Sequence, residues 1–149
     1  MNTDRIEKRI VLRAPPSRVW RAIATTAEFN TWFGVKLEGS FAPGQRLKGR
    51  ITTPGYEHLV MDIEVERVEP ERLLSYRWHP YAIDPNVDYS KEPTTLVEFS
   101  LTEVAAGTEL TVVESGFDRI PEKRRAEAFR MNEGGWGEQL RNVERHVAA

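Results

Sequence analysis

Two polar residues occupy positions where the surrounding pattern predicts buried apolar side chains. Glu114 shares its strand parity with Val112, and Asn132 shares a helix face with Phe129 and Trp136. A buried polar group without a partner costs about 1–3 kcal/mol, so each residue predicts either an internal hydrogen bond or a contact with a ligand. Since a carboxyl group shielded from water can act as a general acid or base, Glu114 is the one catalytic candidate.

Both residues also have purely structural alternatives. Glu114 either pairs with an arginine or lies in solvent at the end of its strand, just before Ser115 and Gly116. For Asn132, the structural alternative is a hydrogen bond to the sheet or to the second helix.

Other kinds of site find little support. The sequence has no cysteine, which excludes thiolate catalysis, thiolate zinc sites and disulfides. His58, His79 and His146 are not spaced as HxxxH or HExxH, and Asp84 and Asp88 lack the glycine of a calcium loop. GxGxxG, GxxxxGK[ST] and GxSxG are all absent. We therefore expect no metal and no cofactor.

The elements that must position Glu114 and Asn132 follow from the periodicity. "RIEKRIVLRA" predicts an opening strand, and "PPSRVWRAIA" and "TTAEFNTWFG" predict two short helices, the second ending at Gly34. About six strands with short turns follow from residue 35 to 116, interrupted by a long loop at 80–93 that is a functional or mobile segment.

A long amphipathic helix closes the chain. It is predicted from near Pro121 to about Val147, with Trp136 in its apolar stripe. Gly134, Gly135 and Gly137 lie in its middle, and each costs roughly 1 kcal/mol relative to alanine. We expect these glycines to let the helix bend and to let neighbouring backbone approach closely beside Trp136; the alternative is that a straight helix simply tolerates them.

This order of elements predicts an α+β fold. A curved antiparallel sheet of about six to seven strands would wrap around the C-terminal helix, with two short helices after strand 1. Large side chains on the inner face either form the core or line an apolar cavity between sheet and helix. The residues predicted to line that cavity are Trp32, Phe33, Met61, Tyr76, Trp78, Phe99, Glu114, Asn132 and Trp136.

Length and charge set further bounds. A chain of 149 residues predicts a single domain spanning residues 1–149. The net charge of −2 and the acidic neighbours of the short basic run at 123–125 argue against a nucleic-acid partner. No stretch reaches the ~20 apolar residues of a membrane span, and the charged N-terminus does not resemble a signal peptide, so we expect a cytoplasmic protein.

Three stretches resemble a known family. They are "APPSRVWRAI" with "TTAEFNTWF", "LTVVESGFDRIP" at 110–121 and "NEGGWGEQLRNV" at 132–143. Together they resemble the START/Bet v-like (SRPBCC) superfamily with its helix-grip fold. Within it they are similar to the branch of the C-terminal domain of the heat-shock-protein-90 ATPase activator. The resemblance implies an elongated cavity between the long helix and the sheet.

Members of that superfamily include lipid carriers, hormone receptors and polyketide cyclases. The resemblance therefore implies, first, a non-enzymatic module that binds a small hydrophobic or amphipathic molecule, with a possible link to stress. A second hypothesis is a cyclase- or hydrolase-type enzyme using Glu114 with Asn132 or Tyr76. A third is an interaction domain that contacts a chaperone, although the activator's additional N-terminal domain has no counterpart here. A monomer or weak homodimer is expected.

Overall fold

The computed structural model describes residues 3–148 and contains one six-stranded antiparallel sheet, three helices and two short 3-10 turns. The strands are β1 (Arg5–Leu12), β2 (Arg46–Arg50), β3 (Val60–Glu69), β4 (Leu73–Trp78), β5 (Thr95–Val104) and β6 (Gly107–Ser115). The helices are α1 (Pro16–Ala24), α2 (Thr26–Phe33) and α3 (Glu122–Ala148), and the 3-10 turns are Tyr89–Lys91 and Phe117–Arg119.

The sheet is open, with the strand order β1-β6-β5-β4-β3-β2. Four of the five strand pairs join consecutive strands, and the exception places β1 beside β6, with Arg5 opposite Ser115. The α3 helix contacts β1 and both short helices. This arrangement confirms the predicted α+β helix-grip class, with two short helices after strand 1 and a long helix at the C-terminus.

The alternating pattern of the sequence appears directly as alternating burial. In β3, Met61, Ile63 and Val65 are buried, and in β5 Val97 and Phe99 are fully buried. Because successive side chains of a strand point to opposite faces, one face of the sheet forms the core against the helices.

Two glycines are required by local geometry. Gly34 ends α2 with a φ of +86°, a left-handed conformation that glycine adopts without strain. Gly49 in β2 lies against the segment that follows α2, where an added Cβ atom would come within 1.9 Å of the Lys36 carbonyl oxygen. These two glycines let the chain after α2 return along the sheet edge.

The glycines of α3 behave differently from the prediction. The helix is unbroken from Glu122 to Ala148, and an added Cβ atom at Gly134, Gly135 or Gly137 would meet nothing within 4 Å. The expectation of a close backbone approach beside Trp136 is therefore wrong, because no other segment of residues 3–148 comes within 4 Å of a Cβ atom at these positions.

No helix in residues 3–148 combines the length and the apolar composition that crossing a membrane requires.

Candidate functional site

Glu114 is the centre of a buried hydrogen-bond cluster. Its side chain is completely inaccessible to solvent and accepts four hydrogen bonds. Trp136 Nε1 and Asn132 Nδ2 donate to Oε1 at 2.8 and 2.9 Å. Trp78 Nε1 and Thr95 Oγ1 donate to Oε2 at 2.7 and 2.5 Å. We call these five residues the Glu114 cluster.

Three strands and the long helix position this cluster. Glu114 lies on β6, Thr95 and Trp78 lie on the next two strands of the sheet, and Asn132 and Trp136 lie on α3. Asn132 and Trp136 are four residues apart, so they are neighbours on one helix face. The carboxylate therefore ties α3 to the centre of the sheet.

The chemistry of the donors defines what Glu114 does. An indole N–H can only donate, and each carboxylate oxygen accepts one such bond from a tryptophan. Asn132 and Thr95 supply the second bond on each oxygen, so about four lone-pair sites receive four donors. The alternatives of an arginine pair and of a solvent position for Glu114 are both wrong: its partners are neutral, and its side chain is buried. The alternative of a structural hydrogen bond from Asn132 to the sheet is confirmed.

Tyr76 lies beside the cluster without joining its hydrogen bonds. Its ring is fully buried, and its hydroxyl has no hydrogen-bond partner within residues 3–148. Burial, followed by the negative charge of Glu114, raises the pKa of the Tyr76 hydroxyl well above its usual 10.0. Tyr76 is therefore a neutral core residue at ordinary pH.

The predicted aromatic residues form a continuous packed group. The Trp78 ring centroid lies 5.4 Å from that of Tyr76 and 5.8 Å from that of Trp136, and Phe99 lies 5.6 Å from Trp136. Trp32 is also buried and donates its Nε1–H to the Ala22 carbonyl. These rings fill the space between α3 and the sheet at this level.

Solvent reaches the margin of this group through two adjoining openings. The first, of about 180 Å³, lies between α2, β4 and α3, and we call it the α2–α3 cleft. Its lining residues are Phe33, Trp78, Asn132, Gly135, Trp136 and Gln139. The second, of about 220 Å³, shares Phe33, Trp78 and Asn132 with the first, and we call it the loop-side cleft. Its other lining residues are Ile51, Leu59, Val60, Met61, Asp62, His79, Tyr81, Ala82 and Ile83.

The residues predicted to line a cavity thus divide into three groups. Phe33, Trp78, Asn132 and Trp136 border the α2–α3 cleft, and Met61 borders the loop-side cleft. Trp32, Tyr76 and Phe99 are buried and border neither opening. Glu114 also borders neither, although three of its four donors line the α2–α3 cleft.

Sequence reasoning missed two residues at this site, Thr95 and Gln139. Thr95 has the same inward parity on β5 as Val97 and Phe99, so its burial could have been predicted. Gln139 lies three residues after Trp136 on α3, and its Nε2 donates to the Phe33 carbonyl at 3.0 Å. Gly135, which the sequence placed beside Trp136, borders the α2–α3 cleft with no side chain to fill it.

The loop at 80–93 is tied to the start of α3 by a single arginine. Arg124 donates from Nε to Glu92 at 2.8 Å and from Nη1 to the Pro80 carbonyl at 2.7 Å, and its guanidinium lies 4.8 Å from the Tyr89 ring centroid. Because both ends of the loop are held, its residues Tyr81 to Ile83 are placed at the wall of the loop-side cleft.

The family described as "Activator of Hsp90 ATPase homolog 1-like protein" matches residues 13–148. The chain belongs to this AHSA1 family. The match confirms the predicted resemblance and identifies the chain as a member of a group of ligand-binding domains with the SRPBCC-type fold.

Solved structures agree with this assignment. Protein MLL2253 from Mesorhizobium loti is 29% identical, covers 97% of this chain and 96% of its own, and has a TM-score of 0.76. DynU16, a protein of the dynemicin biosynthetic locus, is 25% identical over 98% of this chain but only 48% of its own, with a TM-score of 0.75. The Aha1 dimer from Colwellia psychrerythraea shares the fold, at 17% identity, coverage of 96% and 95%, and a TM-score of 0.71. No curated protein matches the sequence.

Proposed function

We propose that this AHSA1-family protein binds a small apolar or amphipathic molecule at the two adjoining clefts around Trp78. The observation that carries the proposal is the α2–α3 cleft itself. Two tryptophans and a phenylalanine form its apolar wall, and two amide side chains, Asn132 and Gln139, supply the polar groups. Ligand sites commonly combine apolar walls with a few placed polar groups.

The cleft dimensions limit the ligand. Openings of about 180 and 220 Å³ lie below the roughly 300–1,000 Å³ typical of drug-sized sites. A compact group in the α2–α3 cleft with an apolar extension into the loop-side cleft fits this shape. Phe33, Trp78 and Asn132 would contact both parts of such a ligand, since they border both openings.

The enzyme hypothesis has less support from the geometry. A general base needs a free lone pair within reach of the substrate. Glu114 is fully buried, and four donors already occupy its oxygens. We therefore assign Glu114 a positioning role, holding the cleft residues Trp78, Asn132 and Trp136 in place.

Adjacent glycines of α3 provide a matched test. Gly135 borders the α2–α3 cleft, whereas Gly134 does not, and a side chain at either position meets no atom within 4 Å of its Cβ. Gly135→Leu should therefore fill the cleft, while Gly134→Leu makes the same chemical change on the same helix outside it.

Binding would be followed by the fluorescence of the neutral apolar probe N-phenyl-1-naphthylamine. We expect Gly135→Leu to weaken binding roughly tenfold, about 1.4 kcal/mol, with Gly134→Leu unchanged. Equal affinity of the two variants would refute the proposed site. Native mass spectrometry of freshly purified protein would then give the mass of any retained natural ligand.

A further inference from the structure

Resting on the proposed function, we propose that the α2–α3 cleft selects ligands whose compact end is a hydrophobic cation, such as a quaternary ammonium group. The proposal names the chemical class of the ligand. It follows from three features of the site: a buried carboxylate without a basic partner, aromatic rings that lie between this carboxylate and the opening, and the absence of any lining cation.

The first feature is the uncompensated charge of Glu114. All four of its partners are neutral donors, and no Lys, Arg or His within residues 3–148 forms an ion pair with it. An indole N–H can donate a hydrogen bond but cannot accept one from a protonated carboxyl group. The arrangement therefore fits a carboxylate that accepts a hydrogen bond at every position. In a buried, low-dielectric setting such a charge acts over longer distances than it would in water.

The second feature is the aromatic wall. The Phe33 ring centroid lies 6.4 Å from that of Trp78 and 6.3 Å from that of Trp136, and the two tryptophan centroids are 5.8 Å apart, so the three rings stand together at the cleft that they line. Cations are attracted to ring faces within about 6 Å, most strongly to tryptophan. Both indoles donate their N–H to Glu114, and this hydrogen bond to an anion polarises each ring further toward binding a cation.

The third feature is the charge of the lining residues. The α2–α3 cleft has no charged lining residue. In the loop-side cleft, Asp62 is paired with Arg46 at 2.9 Å and with Lys48 at 3.7 Å, and His79 contacts the Glu92 carbonyl. No lysine or arginine borders either opening, and no histidine borders the α2–α3 cleft, so an anionic group in that cleft would find no basic partner among its lining residues.

The two amide side chains that line the α2–α3 cleft also favour a cationic ligand over an anionic one. Asn132 directs its Nδ2 donor at Glu114, and Gln139 directs its Nε2 donor at the Phe33 carbonyl. One N–H of each amide is therefore already engaged with an acceptor of the protein. The volume of about 180 Å³ admits a head group of trimethylammonium size.

Three probes of similar shape separate the effect of ligand charge on affinity from the effect of ligand shape. Choline carries a quaternary nitrogen, 3,3-dimethylbutan-1-ol replaces this nitrogen with carbon, and 3,3-dimethylbutanoate adds a negative charge. Binding would be followed by NMR through the indole N–H resonances. Trp78 and Trp136 border the cleft, and Trp20 and Trp32, which border neither opening, serve as internal references.

We expect choline to bind roughly tenfold more tightly than the neutral alcohol, and the carboxylate to bind most weakly. Phe33→Leu should remove most of the preference for choline because it removes one ring face. Phe129→Leu is the matched control, since the half-buried Phe129 packs on Phe117 and borders neither cleft.

The outcomes distinguish this inference from the proposed function. Equal affinity for choline and the alcohol, or a preference for the carboxylate, overturns the cation inference and leaves the binding site in place. If no probe shifts the Trp78 and Trp136 resonances while Gly135→Leu weakens N-phenyl-1-naphthylamine binding as expected, the cation inference again fails alone. Failure of both experiments overturns the site.

Discussion

Replacing Glu114 with glutamine is the most demanding test of the cluster. The change keeps the size and shape of the side chain and replaces one acceptor oxygen with an NH2 group. Each carboxylate oxygen accepts one bond from an indole, from Trp136 on Oε1 and from Trp78 on Oε2. Whichever way the amide lies, its NH2 group faces an indole N–H that has no other acceptor.

The expected cost follows from these bonds. One orphaned indole N–H costs about 1–3 kcal/mol, and the partner that shares its oxygen, Thr95 or Asn132, must reorient or lose its bond too. The remaining two bonds become neutral, and each weakens by about 1 kcal/mol. Glu114→Gln should therefore lower the free energy of unfolding by about 4 kcal/mol, a large share of the 5–15 kcal/mol that a domain possesses.

Urea unfolding measures this loss. With a slope of about 2 kcal/mol/M, the midpoint should fall by about 2 M at an unchanged slope. Glu109→Gln is the matched control, because Glu109 lies on the same strand and is only partly buried. It should change stability by less than about 0.5 kcal/mol.

A second variant measures the contribution of a single hydrogen bond of the Glu114 cluster to stability. Thr95→Val keeps the shape of the side chain and removes one donor, so it should cost about 1 kcal/mol. If Glu114→Gln unfolds within about 1 kcal/mol of the wild type, the hydrogen bonds from Asn132 and Trp136 do not hold α3 to the sheet, and the positioning role of Glu114 is refuted.

Three further outcomes are expected. Gly134→Ala should stabilise the protein by about 0.5–1 kcal/mol, seen as a higher urea midpoint, because the helix is continuous and the new methyl group meets nothing. Burial raises the pKa of Glu28, but hydrogen bonds from His146 and Arg18 outweigh burial and lower this pKa overall. This stabilisation is present above the unfolded pKa near 4.5 and is lost as the pH falls through the folded value, so Arg18→Gln should cost about 0.5–1 kcal/mol at pH 7 and less at pH 3. Arg124→Gln should speed amide hydrogen exchange in the loop at 80–93 with little effect on the global midpoint, and unchanged exchange would show that other contacts hold the loop.

The fold was predictable because its information is local and periodic. The alternation of Met61, Ile63 and Val65 marks a half-buried strand without reference to any other part of the chain. Gly34 likewise marks a helix end through its own backbone preference. Since each element carries its own pattern, their order was enough to predict an antiparallel sheet with a terminal helix.

The site was only partly predictable, because it depends on contacts between distant segments. Parity showed that Glu114 faces inward, but not that two tryptophans from different elements would donate to it. The interior volume also depends on how rings pack, and no local pattern predicts that Tyr76 and Phe99 fill the space. The glycines of α3 misled the prediction, since a glycine with a packing role and one without it look the same in sequence.

The pairing of β1 with β6 has a consequence for synthesis of the chain. Arg5 pairs with Ser115, so β1 leaves the ribosome long before its partner strand β6 is synthesised. β1 can therefore join the sheet only after all the other strands have emerged. Glu114 gains its full set of hydrogen-bond donors later still, because Asn132 and Trp136 lie on α3, which is synthesised after the sheet. A chain stalled before α3 would hold a carboxylate with half of its donors missing beside uncovered aromatic rings, which makes it prone to aggregate. Glu114 therefore gains its donors on Asn132 and Trp136 only after α3 has formed.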